Sequence, residues 1–204
     1  MNNKAPREIL IGIHGKAGTG KDLVAEYLRQ NYGLFPVAFA TPIKHALVYL
    51  LQDAYRLTLS HFDGPIKEVV IPGLGKSPRQ LTQSMGTDWG RDQVNPEVWM
   101  RIAAATIRDR RALATSIELP FPGVVVTDVR FKDEAQWIRS NGGAVLHLYR
   151  AEAKQVNQHV SEDGGSVGPD DLIINNNGTI KELQAKLSSV MSDIIASRME
   201  VING

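Results

Sequence analysis

The chain has 204 residues, 43% apolar and 22% charged, the size and balance of one globular domain or of a domain with a sizeable insertion, which excludes disordered, collagen-like and coiled-coil chains. Twenty-three basic residues against 22 acidic ones give a formal charge of +1, so the chain as a whole carries no electrostatic footprint for polymeric nucleic acid or for an anionic membrane. With no cysteine, disulfides, thiolate zinc sites and cysteine nucleophiles are excluded, and with an N-terminal apolar run too short for a signal peptide and no stretch near the roughly 18 apolar residues of a membrane span, a soluble cytoplasmic protein is expected.

In chain order, a first strand at Ile9–His14 runs into a glycine-rich turn and a helix over Lys21–Asn31. A second strand, Phe35–Phe39, precedes a helix over Pro42–Tyr55. Phe62–Ser77 is punctuated by Gly and Pro and reads as a loop. Helical patterns follow around Pro78–Trp89 and over Pro96–Leu113, then a strand at Val124–Thr127 and a helix over Phe131–Asn141. The strand Ala144–Tyr149 is separated from the short strand Leu172–Ile174 by Ala151–Asp170, a polar, glycine-bearing excursion whose length fits a lid or binding loop. The last helix is marked by a capping box of Thr179 and Glu182 and by a stripe of Ile180, Leu183, Leu187, Val190, Met191 and Ile194. Strands that alternate with helices, several of them continuously apolar, predict an α/β fold with a parallel sheet buried on both faces.

Gly15, Lys16, Ala17, Gly18, Thr19, Gly20 and Lys21 match G-x-x-x-x-G-K, directly after a strand and opening a helix. That context is what a phosphate cradle needs. Glycines let successive N–H groups curl around an anion, the helix N-terminus adds partial positive charge, and Lys21 reaches the β- and γ-phosphates. The competing dinucleotide motif fails, because after Gly18 and Gly20 it requires glycine at Leu23. Asp22 stands where a hydroxyl residue ordinarily serves Mg²⁺; it is either a ligand of the metal, directly or through water, or an acidic residue favoured in a first helical turn.

The strand ending at Thr127 leads into Asp128, an arrangement in which a carboxylate positions Mg²⁺ or its water. Asp128, Arg130 and Glu134 are expected at the carboxyl edge of the sheet, where ligands of open α/β sheets bind. Arg130 fits a bidentate clamp on a substrate phosphate. Glu134 orients that arginine or a sugar hydroxyl, or forms an i, i+4 surface pair with it.

Together these residues resemble the bacteriophage-type deoxynucleoside monophosphate kinases of the P-loop nucleoside monophosphate kinase group. The resemblance rests on GKAGTGKD at Gly15–Asp22, FATPIK at Phe39–Lys44, GTDWGRD at Gly86–Asp92, PEVW at Pro96–Trp99, TDVRFKDE at Thr127–Glu134, the lid-like His159-Val160-Ser161-Glu162, and NNGTIKEL at Asn176–Leu183. It departs at Thr41, where the family often carries Asp. It implies a single three-layer P-loop NTPase domain with a five-stranded parallel sheet, a substrate-binding insertion over roughly 40–115, and a lid over roughly 150–170. The implied reaction is transfer of the ATP γ-phosphoryl group to a deoxynucleoside 5′-monophosphate.

Carried over by position, Gly15–Lys21 hold the ATP phosphates, while Lys44, Arg79, Trp99, Asp128, Arg130 and Glu134 approach the acceptor, joined by Gly86, Thr87 and Arg91. Trp99 is expected to stack on the base, with packing as its alternative, and Trp89 is weighed in the same way. Lys21, Asp128 and Arg130 form the expected catalytic set, Asp22 and Asp128 the expected metal ligands. Arg150 and Lys154 would close over ATP, and His159 would order the lid. ATP and Mg²⁺ are the expected cofactors and a small-molecule phosphate acceptor the expected partner; a homodimer remains open. Two other readings are a P-loop kinase of the phosphomevalonate or dephosphocoenzyme A type, and a non-catalytic ATP-binding regulatory module.

Overall fold

A computed structural model describes residues 8–151 and 167–203, with side chains to residue 197. Five parallel strands form one sheet in the order β2-β3-β1-β4-β5: β1 (Ile9–His14), β2 (Phe35–Val37), β3 (Gly123–Val129), β4 (Ala144–Tyr149) and β5 (Leu172–Asn175). The three-layer expectation is met. Ile11 and Ile13 of β1 pack with Val24 and Leu28 of helix α1 (Lys21–Tyr32) and with Leu183, Leu187 and Met191 of helix α6 (Ile180–Asn203) on one face. On the opposite face Ile138 of helix α5 (Lys132–Ser140) lies so close to Gly12 that a Cβ there would collide with it. Each fully buried aliphatic side chain contributes about 1.5–3 kcal/mol of transfer free energy.

The chain divides into two compact units, one running through Val37 and resuming at Arg110, the other spanning Ala38–Asp109. The second unit holds helix α2 (Thr41–Tyr55), short 3₁₀ turns at Leu59–Phe62 and Gly64–Glu68, helix α3 (Pro78–Gln83) and a π-helical segment at Ser84–Val94. Helix α4 spans Val98–Ser116. Helix α3 is fixed by a reciprocal cap in which the Ser77 hydroxyl accepts from the Gln80 N–H at 3.3 Å and the Gln80 carboxamide accepts from the Ser77 N–H at 2.9 Å.

Several boundaries differ from the sequence expectation for identifiable reasons. Strand β2 stops at Val37 because the chain turns at Ala38–Ala40 into α2, where the Thr41 N–H reaches the Ala38 carbonyl; Phe39 is buried, but outside the sheet. The helix expected over Pro78–Trp89 is two elements. Beyond Gln83 the hydrogen bonds widen, as in the 2.9 Å bond from the Asn95 N–H to the Gly90 carbonyl five residues back, and the Gly86 carbonyl is taken by the Trp99 indole N–H at 2.7 Å. A side chain that bonds into a helical ladder is an established cause of such a defect. The Thr179–Glu182 cap forms as expected, with the Thr179 N–H donating to the Glu182 carboxylate at 2.7 Å. Ile180, at the very start of α6, is exposed and does not join the stripe.

Candidate phosphate-binding site

Gly20, at the N-cap of α1, has φ 99° and no side chain caps the helix. Its backbone lies in the left-handed region where a side chain is costly, and a Cβ would press on the Asn176 carboxamide at 2.7 Å. Gly18 also has positive φ, and a Cβ built there meets nothing within 4 Å, so the loop is open on that side. The first N–H groups of α1 thus have no side-chain capping oxygen, which is the condition for an anion site at a helix N-terminus.

The loop is held from behind. The buried Thr19 donates its hydroxyl to the Lys16 carbonyl at 2.9 Å, and the buried Asn176 donates from Nδ2 to the Thr19 carbonyl at 2.8 Å. Asn176 entered the sequence reading only as the first residue of the NNGTIKEL segment, with no role assigned to it; its signal, an Asn just past the last strand, is too common to stand out. Lys21 curls back so that Nζ donates to the carbonyls of Gly15 at 2.5 Å and Lys16 at 2.9 Å. The ammonium is therefore carried by the loop backbone itself. Lys16 and Asp22 are exposed, and Ala17 is partly covered.

Strands β1, β3 and β4 are parallel, so their carboxyl ends share one edge. His14 ends β1 one residue before the loop, and in the ladder it stands opposite Val129. This puts Asp128, a residue of β3 rather than its successor, beside the loop, with Arg130 exposed immediately after the strand and Arg150 exposed immediately after β4. Burial lowers the His14 pKa below its ordinary value, its bond to Val129 pushes the other way, and His147 and Lys21 add to the lowering.

Glu134 bonds to the backbone of Arg130. It is 3% exposed, and its Oε2 accepts the backbone N–H groups of Arg130 at 2.7 Å and Phe131 at 3.0 Å. Through Oε2 the carboxylate ties down the entry into α5. Trp99 is 7% exposed, its indole N–H is taken by Gly86, and its ring lies against the Gly90 backbone, where a Cβ would collide with it. This burial and the bond to Gly86 fit the packing alternative for Trp99. Trp89 is 49% exposed with its ring centroid 6.5 Å from that of Trp99.

In the inserted unit Lys44 lies partly covered in the first turns of α2, and Arg79 on α3 is paired through Nε with the Glu68 carboxylate. Gly86 is buried against Ile43, while Thr87 and Arg91 follow it in the π-helical segment and are partly covered. Lys154 and His159–Glu162 lie outside the described residues. Among the described residues no helix is long and apolar enough to cross a membrane.

Residues 65–187 match the deoxynucleotide monophosphate kinase family. A protein of Acanthamoeba polyphaga mimivirus named "Putative deoxynucleotide monophosphate kinase" is 30% identical over 94% of this chain and 99% of its own length. The chain belongs to this family. The deoxynucleotide monophosphate kinase of Enterobacteria phage T4 is 24% identical over 89% of this chain and 98% of its own length. A dephospho-CoA kinase of Synechocystis is 25% identical over 92% and 96%. Deoxynucleotide monophosphate kinase family membership makes the chain a P-loop kinase, and it accounts for an uncapped helix behind a glycine loop.

Proposed function

We propose that the protein transfers the γ-phosphoryl group of ATP to a deoxynucleoside 5′-monophosphate, giving the diphosphate. The observation that carries this reading is the open loop before α1, with Lys21 drawn over it and Asp128 and Arg130 at the same sheet edge, in a chain of this family. In the reaction an acceptor phosphate oxygen bonds to the γ-phosphorus as its bond to the β–γ bridging oxygen breaks, and ADP leaves. Such a transfer needs positioning and charge neutralisation more than proton removal.

The loop N–H groups and Lys21 hold the donor phosphates. Arg130 clamps the acceptor phosphate, and the inserted unit, through Lys44, Arg79, Thr87 and Arg91, recognises the rest of the acceptor. The donor set fits Mg²⁺: a hard cation of this kind is held by one or two carboxylates with the substrate phosphates completing its shell, and Asp22 and Asp128 are the two carboxylates flanking the loop. The cation, when bound, neutralises charge on the transferred group. Arg150 closes over ATP from the end of β4, and the 150–170 segment acts as the lid of a single kinase domain.

Two measurements test the assignments. Arg130→Ala removes a charge-assisted contact of about 1.5–3 kcal/mol, so the acceptor kcat/KM should fall by roughly ten- to 150-fold while ATP affinity is nearly unchanged. Equal losses on both substrates would contradict the assignment. For Asp22, calorimetry should show ATP binding that weakens sharply without Mg²⁺, and Asp22→Ser should retain more of the metal-free binding, because a carboxylate beside phosphates repels them unless a cation bridges the two. The same metal dependence in both proteins would reduce Asp22 to a helix-start residue. A dephosphocoenzyme A acceptor, favoured by the Synechocystis relative, belongs in the same assay.

A further inference from the structure

The register of β3 against β1 breaks beside the proposed site. Ile9 to Gly12 pair one for one with Gly123 to Val126, but His14 stands opposite Val129, so two steps along β1 oppose three along β3. An extra residue of this kind is a bulge, which bends its strand and re-aims the side chains it carries. Here it falls on the segment that holds Asp128 and leads to Arg130.

The peptide group between Val129 and Arg130 is held at both ends. Its carbonyl oxygen lies 3.0 Å from His14 Nδ1, and its N–H donates to Glu134 at 2.7 Å. A carbonyl can only accept, so His14 carries its proton on Nδ1 and donates. The His14 ring is backed in turn by His147, opposite it in β4, at a centroid distance of 5.3 Å and an interplanar angle of 61°. His147 cannot rotate away, because its Nε2 donates to Asp171 at 2.9 Å, and Asp171 is fixed by Arg139 and by the N–H groups of Val145 and Gly168.

We infer that His14 is a positioning residue for phosphoryl transfer: with Glu134 it clamps the Val129–Arg130 peptide plane and so fixes how Asp128 and Arg130 are presented beside the phosphate loop. The inference rests on the acceptor role proposed for Arg130. His14 touches neither reacting group in this account.

The test compares His14→Phe, which keeps a ring but loses the donor, with His14→Asn, whose Nδ2 occupies the position of the imidazole Nδ1. His14→Phe should lower kcat/KM for the acceptor on the order of tenfold while the calorimetric ATP affinity stays within about twofold, and His14→Asn should restore most of the loss. Unchanged kinetics in His14→Phe, or equal loss on the ATP side, would overturn the inference. A second readout needs neither variant nor turnover: nitrogen-15 NMR of the unmodified protein should show His14 protonated at Nδ1, and a proton at Nε2 alone would overturn the clamp even if His14→Phe failed to fold. If the unmodified protein phosphorylates no nucleotide, the proposed function fails, while the tautomer still decides whether the clamp exists.

Discussion

Lys21→Ala should lower kcat/KM on the order of a hundred- to a thousandfold, the usual loss when one preorganised donor to the developing charge is removed, and leave the fold intact. The expectation follows from where Nζ sits: it is held by the carbonyls of Gly15 and Lys16, so it is fixed over the loop before any phosphate arrives. Lys21 is partly exposed and lies in the first turn of α1, outside the buried cluster, so thermal stability should change little. Steady-state kinetics beside a melting curve separates the two effects. A variant with near-normal turnover would show that the loop amides alone carry the phosphates.

Asp171→Ala should cost about 3–5 kcal/mol, because it leaves charged and polar partners without their common acceptor. The side chain is 1% exposed and accepts from Arg139 at 3.1 and 2.5 Å, from His147 at 2.9 Å, and from the N–H groups of Gly168 at 2.7 Å and Val145 at 3.1 Å. Burial alone would raise the carboxyl pKa, but Arg139, Gly168, His147 and Val145 overcome it and hold the group well below the usual carboxylate range. A group depressed in the folded state stabilises it fully above its unfolded value of 3.8 and loses that contribution as pH falls below it. Denaturant titrations should therefore show an Asp171→Ala deficit that shrinks as the pH is lowered below about 4. A deficit that does not shrink would place the stabilisation elsewhere.

This network also marks the limit of what the sequence conveys. Asp171 read only as the edge of a polar excursion and His147 as one residue in an apolar strand, since their pairing spans 24 residues and depends on the register of β4 against β5. The phosphate loop was legible because its residues are contiguous and its backbone demands glycine locally. The strands and helices around it were legible for a similar reason: apolar periodicity is a local property. The packing of Trp99 was not legible because an aromatic near a polar motif looks the same whether it stacks on a base or lies against Gly90. The bond Glu134 makes was not legible for a related reason, since one spacing allows a side-chain pair with Arg130 or a bond to its backbone N–H. The π-helical widening at Ser84–Val94 could not be read either, because it depends on an indole 13 residues from the carbonyl it takes.

The central claim is tested most directly by incubating the purified protein with ATP, Mg²⁺ and each natural deoxynucleoside monophosphate in turn, with dephosphocoenzyme A alongside, and resolving the products by chromatography. The account predicts ADP together with the diphosphate of at least one deoxynucleoside, formed in equal amounts. Folded protein that binds ATP and yields no deoxynucleoside diphosphate from any of the acceptors would contradict it.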